Sequence, residues 1–338
     1  MELRDLCLAR GTSGREEQVR ALVASALPRD VADAQVDALG NLLVAQGPSR
    51  PGPRLLLLAH MDEVGLMVTG HTPEGYLRIR PWGGVLPSVV AGKAVHVGPQ
   101  GLAGAVGRAP NHLQRGEPRK TPRFEDLYVD IGAESLDAAR DAAPLGEMIT
   151  FATPFRVSPG GATATCKAFD DRFGVWLALD MLSRSWDFPL HVAFTAQEEV
   201  GLRGAQVALR ALQPDLVIAL EATAAADTPD APRGAGTEIG RGPALTTLDR
   251  SSRADGGLRQ ALARAGESAG VAWQWRRGIG GGNEAGAAWL QGYRSAAVSL
   301  PCRYLHAPVS LVSLGDVAAA RSLLMRFLEN VREVRDNV

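Results

Sequence analysis

The sequence predicts an α/β protein: a central mixed sheet with helices on both faces and an inserted β-rich domain. Three observations carry this. From Asp170 onward, short apolar runs alternate with segments of helical periodicity, the pattern of a sheet covered by helices. Between residues 70 and 165 the texture changes to short alternating runs (YLRIRPW, KAVHVG, EMITFAT) among many Gly and Pro, which reads as an all-β module. Before residue 70 the helix and strand patterns of the C-terminal part already occur. The expected division is 1–69 and 166–338 for the two parts of the α/β domain, with 70–165 as the insert.

In order, Ser13 and Glu16 form an S-x-x-E capping box ahead of the helix EQVRALVASAL, which Pro28 closes. VDALGNLLVAQ reads as two short strands about a Gly40-Asn41 turn, followed by the strand RLLLLAH. Beyond Asp170 come a helix (FGVWLALDML), a strand (LHVAFTA), a helix (LRGAQVALRAL) and a strand (PDLVIALEA). A helix (GGLRQALARAGESAG), a strand (SAAVSL) and a helix (DVAAARSLLMRFLENV) complete the series. The Ala, Gly and Pro rich stretch near 222–236 reads as a loop, and no internal repeat is evident. Trp273 and Trp275 suit strand packing, His96, His112 and His191 read as structural, and His71 as a turn residue. RGEPRK reads as a solvated charge run.

Composition narrows the function. At 338 residues and 46% hydrophobic the chain can bury a large core. Lys plus Arg (36) nearly balance Asp plus Glu (37), and no basic run interleaves with aromatics, which argues against a nucleic-acid partner. The longest apolar runs, such as Leu55 to Ala59, are too short for a bilayer, and MELRDLCLAR lacks the apolar stretch of a signal peptide. A cytoplasmic protein without a membrane partner is expected. Cys7, Cys166 and Cys302 are odd in number and far apart, so they read as buried thiols.

Chemistry-bearing residues gather where strands end. His60 and Asp62 follow one strand, Asp170 and Asp171 open a helix, and Glu198 and Glu199 follow a second strand. Glu221 and Asp227 follow a third, and His306 stands in LPCRYLHAP. In open α/β sheets the carboxyl ends of strands form the ligand crevice, so these groups can converge. A lone His there is more often a structural residue. Several carboxylates together, however, repel and are costly to bury unless cations neutralise them. Mixed imidazole and carboxylate donors suit zinc, cobalt or manganese. Two such ions can share a bridging carboxylate and acidify a water, while one member of the Glu198-Glu199 pair holds metal and the other takes the proton. Both side chains must then leave a turn, which Gly201 allows.

HMDEVG, KAFDDRFG, EEVGLRGA, ALEATAAADTP, GGGNEAGA and RYLHAPV, in this order, resemble the dinuclear-metal aminopeptidases of the tetrahedral aminopeptidase family. That family includes glutamyl, leucyl and lysyl aminopeptidases, some labelled endoglucanases. SGREEQVR, GNLLVA, and RGEPRK followed by FEDLYVDIGA extend the resemblance over nearly the whole chain. It implies a zinc-exopeptidase-like fold, two divalent metal ions with zinc foremost and cobalt or manganese as alternatives, and short peptides as substrate. By the same resemblance His60 and Glu221 hold one metal, Glu199 and His306 the other, and Asp170 bridges them. Glu198 becomes the general base and Asp62 orients His60. The insert makes subunit contacts, a dimerisation domain within a homo-oligomer expected to be a tetrahedral dodecamer. The long gap between His60 and Asp170 is the room the β-rich module fills, and it favours this family over carboxypeptidase-like and desuccinylase-like relatives.

Asp171 reads as a helix first-turn residue, and Asp227 is a weaker rival to Glu221 because it lies in the Ala-rich loop rather than directly after a strand. The chain departs from the family at three places. It has Asn283 and Glu284 where Thr-Asp is usual, Ala-Pro-Val-Ser after His306, and Glu221 where many members have Asp. Asn283 and Glu284 are candidate substrate contacts; Glu284 either receives the substrate's amino group or simply begins a helix through EAGAAWL. Gly280, Gly282 and Ala285 mimic a dinucleotide fingerprint without the rest of its unit, and GTSGR is not a nucleophile elbow. The expected function is metal-dependent removal of N-terminal residues from peptides. The alternatives are a related dizinc deacylase or carboxypeptidase-like amidohydrolase, or a non-catalytic oligomeric scaffold with the same fold. A carboxylate-pair glycosidase leaves the histidines without a role.

Overall fold

The computed structural model describes the chain except residues 30, 32, 48–51, 111, 113–120, 230, 232–235, 278–279 and 337–338. RGEPRK therefore lies outside the described residues. The strand Leu55–His60 is buried along its whole length because it lies in the middle of a large mixed sheet. Leu190–Thr195 and Leu216–Ala224 pair with it in parallel on either side, and Arg294–Arg303 lies parallel beyond Leu216–Ala224. Antiparallel strands finish both edges: Leu42–Gln46 and Asp33–Val36 on one, Ser310–Ser313, Thr163–Cys166 and Arg156–Val157 on the other.

The period of two along Leu55–His60 assigns each side chain to a face. Leu55, Leu57 and Ala59 enter the large core with the helices Phe169–Leu182 and Leu314–Glu329, whereas Leu56 and Leu58 pack with the helices Arg203–Leu212 and Glu284–Leu290. Each fully buried Leu contributes about 1.5–3 kcal/mol, so this strand anchors the sheet. Its rigidity fixes His60 at its end. Among the described residues no helix is long and apolar enough to cross a membrane.

The β-rich insert is a closed six-stranded barrel. Its strands are Gly65–His71, Leu77–Trp82, Ala94–Val97, Leu102–Arg108, Leu127–Asp130 and Met148–Phe151. Alternation fills the interior with Leu66, Val68, Leu77, Ile79, Val95, Val97 and Val129, while Arg78 and Arg80 face out. Strand pairing places the barrel's limits at Gly65 and Phe151 rather than at 70 and 165, since Arg156–Val157 and Thr163–Cys166 join the large sheet. Composition could not show this: these edge strands are as short and polar as the barrel's own.

Two further expectations need correction. The stretch read as a loop from 222 begins as strand, which continues through Ala224. The helix Glu17–Ala26 begins without the S-x-x-E capping box, because neither Ser13 nor Glu16 caps it. Ser13 Oγ donates to Asp62 at 2.6 Å, and Glu16 Oε1 accepts from the backbone N–H of Gly14 (2.6 Å) and Gln197 (3.1 Å). Both side chains instead tie the N-terminal segment to the loops that carry the site.

Candidate metal and active site

His60 ends its strand with 1% of its surface exposed. Its Nδ1 lies 3.0 Å from the carbonyl oxygen of Asp62 and 3.5 Å from that residue's Oδ1. A carbonyl only accepts, so Nδ1 donates and Nε2 faces the cleft. The Asp62 carboxylate also accepts from the backbone N–H of Glu198 (3.0 Å) and Glu199 (3.1 Å). Burial pushes this carboxyl up, but those donors and His60 outweigh it and hold the group below its usual range. Asp62 therefore fixes both the imidazole and the loop that bears the glutamate pair.

That loop follows the strand Leu190–Thr195 through left-handed backbone at Gln197 (φ 59°). Gly201 and Leu202 both donate to the carbonyl of Glu198, closing a turn from which Glu198 and Glu199 reach the same cleft. The bend expected from Gly201 is there, with φ 124°, and Gln197 and Leu202 share it. His306 leaves the end of the strand Arg294–Arg303 in left-handed backbone. Gly84 lets the barrel's flank approach it, since a Cβ there would stand 2.7 Å from His306 Nδ1.

Asp170 lies between the two imidazoles: Oδ1 is 3.2 Å from His60 Nε2 and Oδ2 is 3.3 Å from His306 Nε2. Glu199 Oε2 is 3.4 Å from His306 Nε2, Glu221 Oε2 is 3.7 Å from His60 Nε2, and Glu198 Oε2 is 4.0 Å from His60 Nε2. Donor atoms of Asp170, Glu199 and His306 lie within 4.8 Å of one another, as do those of His60, Asp171 and Glu221. Side chains from position 60 to position 306 thus meet in one cavity of about 520 Å³.

The electrostatics call for positive charge. Burial, reinforced by neighbouring carboxylates, raises Glu221 and Glu198 well above the usual carboxylate range and Glu199 to about 7. Asp170, like Asp62, stays below it, because both imidazoles outweigh its burial. Burial pulls His306 down, yet Asp170 and Glu199 carry it up to about 9. Among the described residues, buried Glu199 Oε1 and Asp171 Oδ2 have no hydrogen-bond partner. Oxygen and imidazole donors with unfilled acceptor capacity, falling into three overlapping groups that include His60, Glu198 and Glu199, fit a divalent cation.

The remaining sequence candidates divide. Asp171 Oδ1 accepts from the Gly174 N–H at 2.9 Å, the first-turn role expected of it, but its other oxygen belongs to the His60 and Glu221 group. Asp227 is withdrawn into a two-point ion pair with Arg303 (2.8 and 2.7 Å). Asn283 lines the cavity, but its amide is committed on both sides, accepting from Ala285 N–H at 2.9 Å and donating to Asp249 at 3.1 Å. Glu284 must be corrected as a substrate contact. It is fully buried, accepts from Thr195 Oγ1 at 2.5 Å, and is not among the cavity's lining residues. It begins the helix Glu284–Leu290, and its backbone N–H donates to Glu221 Oε1 at 3.2 Å.

The model of the M42 glutamyl aminopeptidase family matches residues 40–323. The chain belongs to this family. It is 32% identical over 319 residues to a putative aminopeptidase of Acetivibrio thermocellus, covering 93% of this chain and 94% of the relative. The TET aminopeptidase from a marine-sediment Thaumarchaeota archaeon superposes with TM-score 0.93 at 30% identity, covering 99% of this chain and 97% of that one. The Pyrococcus horikoshii TET1 peptidase, which can assemble into a tetrahedron or a large octahedral shell, gives TM-score 0.86 at 31% identity over 96% of this chain and 98% of its own. The resemblance read from the six motifs holds, and this M42 protein is a metal-dependent aminopeptidase, a hydrolase of peptide bonds.

One cluster of the aminopeptidase escaped the sequence reading. Glu63, Lys167 and Arg172 are each at most 2% exposed; Glu63 Oε1 is 2.6 Å from Lys167 Nζ and 3.3 Å from Arg172 Nη2. The two cations also donate to the carbonyls of Leu6, Ala9 and Gly11. Only the presence of two basic residues within the KAFDDRFG motif hinted at it.

Proposed function

We propose that this M42 enzyme removes N-terminal residues from short peptides at a centre of two divalent cations, with Glu198 as the general base. The observation that carries the reading is Asp170, whose two oxygens face one imidazole each at 3.2 and 3.3 Å, the arrangement of a carboxylate shared between two ions. His60 and Glu221 would hold one ion and Glu199 and His306 the other. Zinc is the first candidate, with cobalt or manganese as alternatives. When bound, the pair supplies Lewis-acid polarisation of the scissile carbonyl and acidifies a water.

The chain's own residues do the rest. Asp62 presents His60 through its carbonyl and pins the Glu198-Glu199 turn through its carboxylate. Glu198 Oε2 lies 4.0 Å from His60 Nε2 at the edge of the centre, and burial raises its affinity for a proton. It is therefore suited to take a proton from the attacking water and deliver it to the leaving amine. Crowded carboxylates beside the centre suit a substrate's free ammonium group, which is why a chain end rather than a mid-chain bond is read as the target.

We further propose that the chain self-associates, as a tetrahedral dodecamer, with the barrel contributing to subunit contacts, and that it works in the cytoplasm. Metal analysis of the purified protein, with aminoacyl p-nitroanilide hydrolysis by wild type and Glu198→Gln, tests the chemistry. About two metal equivalents and an inactive variant that still binds them are expected. A metal-free active enzyme would overturn the reading. Light scattering tests the assembly, and a monomer with full activity would remove that part.

A further inference from the structure

A second cavity, of about 370 Å³, shares no lining residue with the one that holds the centre. The barrel supplies Pro99, Glu147 and Thr150 to it, and the segment between the helices Leu3–Leu8 and Glu17–Ala26 supplies Arg10, Thr12 and Arg15. Its walls hold polar groups that the fold leaves unmet. Arg10 Nε, Thr12 Oγ1 and Thr150 Oγ1 are buried and, among the described residues, have no hydrogen-bond partner. Buried polar groups are nearly always paired, so three around one cavity point to a molecule that enters it.

The charges match in number but do not meet. Arg10 is anchored: Nη2 donates to the Pro99 carbonyl at 2.7 Å, and Gly101 makes room for the guanidinium, since a Cβ there would stand 2.9 Å from Nη1. Glu147 is held beside the same turn. Its Oε1 accepts from the Met148 N–H at 2.9 Å, and its Cδ would lie 3.3 Å from a Cβ at Gly98. Among the described residues neither Arg10 nor Glu147 is in an ion pair. Arg15 and Glu17 add one more charge of each sign to the lining, and both are exposed. Two guanidiniums against two carboxylates leave the cavity balanced, which suits a molecule carrying both charges better than a bare anion or cation. Pro99 and Met148 add apolar surface for a side chain.

A free α-amino acid has this form, and it is what an aminopeptidase releases. We propose that this second cavity binds a free amino acid with an apolar side chain, its carboxylate on Arg10, its ammonium on Glu147 and the hydroxyls of Thr12 and Thr150 completing the contacts. The wall to which Thr12 belongs also supports the catalytic loops. The Gly11 carbonyl accepts from the Glu63 N–H (2.9 Å) and Arg172 Nη2 (3.2 Å), Ser13 Oγ donates to Asp62, and Glu16 accepts from the Gln197 N–H. A ligand seated here braces the segment that pins Asp62 and the Glu198-Glu199 turn, away from the metal ligands themselves.

Calorimetry of the metal-loaded enzyme with L-leucine, in the presence of saturating leucine hydroxamate to fill the centre, reads the site without turnover. About one equivalent of leucine per chain should still bind to wild type. Its Kd should rise about 10- to 100-fold in Arg10→Met, the span of one charge-assisted hydrogen bond, and about 3- to 10-fold in Thr150→Val. Thr150→Val should melt no lower than wild type, because a methyl replaces a hydroxyl that has no partner; a lower melting temperature would overturn that hydroxyl's place in the site. N-acetyl-leucine, which lacks the ammonium, and leucinol, which lacks the carboxylate, should each bind at least about tenfold more weakly than leucine. Absence of leucine binding to wild type, or a Kd unchanged in either variant, overturns the site. Inorganic phosphate or N-acetyl-leucine binding as tightly as leucine overturns the amino acid as its ligand. None of these results bears on the chemistry at the centre, which chelation and Glu198→Gln decide separately.

Discussion

Two buried charge clusters flank the turn from Lys167 to Arg172, and they have opposite character. Toward the cleft, Asp170, Glu198, Glu199 and Glu221 crowd around two imidazoles, and Glu199 Oε1 is without a donor. Toward the N-terminal segment, Lys167 and Arg172 share a single carboxylate, Glu63, and make up the difference with backbone carbonyls. The second cluster donates to main-chain carbonyls of the N-terminal segment, although Arg172 Nε has no partner among the described residues, so its work is to hold loops together. The first has acceptors to spare, so it is built for something brought in from outside.

Removing what the first cluster awaits should produce the largest effect. Incubation with a strong chelator is expected to bring hydrolysis of an aminoacyl p-nitroanilide to background, and zinc or cobalt to restore it. Melting temperature should fall with the metal, since ligand bound at about 100 times its Kd adds about 2.7 kcal/mol of stability. Retention of full activity in metal-free protein would remove the basis of the contrast.

Next in size is Glu198→Gln. General-base catalysis typically contributes about 10²- to 10⁴-fold, so kcat should fall by that much while metal content and melting temperature change little. An equal loss of metal would move Glu198 from proton carrier to ligand.

In the second cluster the effect should appear as stability. Glu63→Gln leaves Lys167 and Arg172 buried without their counter-charge, a defect costing about 3–5 kcal/mol. Urea unfolding of the metal-loaded protein measures it. A change within about 0.5 kcal/mol, the range usual for surface substitutions, would mean that backbone carbonyls suffice for both cations.

The contrast also explains what could be read beforehand. Strand ends are legible because apolar runs such as LLLLAH stop at a polar residue, and His60, Asp170, Glu199, Glu221 and His306 all stand at or near such stops. The sheet and its covering helices follow from the same periodicities. The Glu63, Lys167 and Arg172 cluster is illegible because its partners are main-chain carbonyls, which no side-chain pattern reveals. Ser13 and Glu16 misled for a related reason. The local capping pattern was genuine, but a buried carboxylate 49 residues away, Asp62, and the Gln197 N–H competed for the same groups and won.

The smallest effect is expected behind the site. Glu284 backs the waiting cluster, since its backbone N–H donates to Glu221 while its side chain accepts from Thr195. Burial raises its carboxyl to about 7, and Oε2 has no partner, so a neutral amide of the same shape loses little. Glu284→Gln keeps an oxygen to accept from Thr195 and leaves the backbone contact to Glu221 unaltered. KM and kcat on amino-acid amides should therefore stay within about twofold of wild type, and stability within about 1 kcal/mol. Thr195→Val, which deletes the donor and strands a buried carboxyl, should cost more, about 1–3 kcal/mol, again without moving KM. A roughly tenfold rise in KM for Glu284→Gln at unchanged melting temperature would mean that the side chain reaches substrate after all. The acidic side of the cavity would then extend beyond its metal ligands, and the division between a waiting cluster and a closed interior would have to be redrawn at this residue.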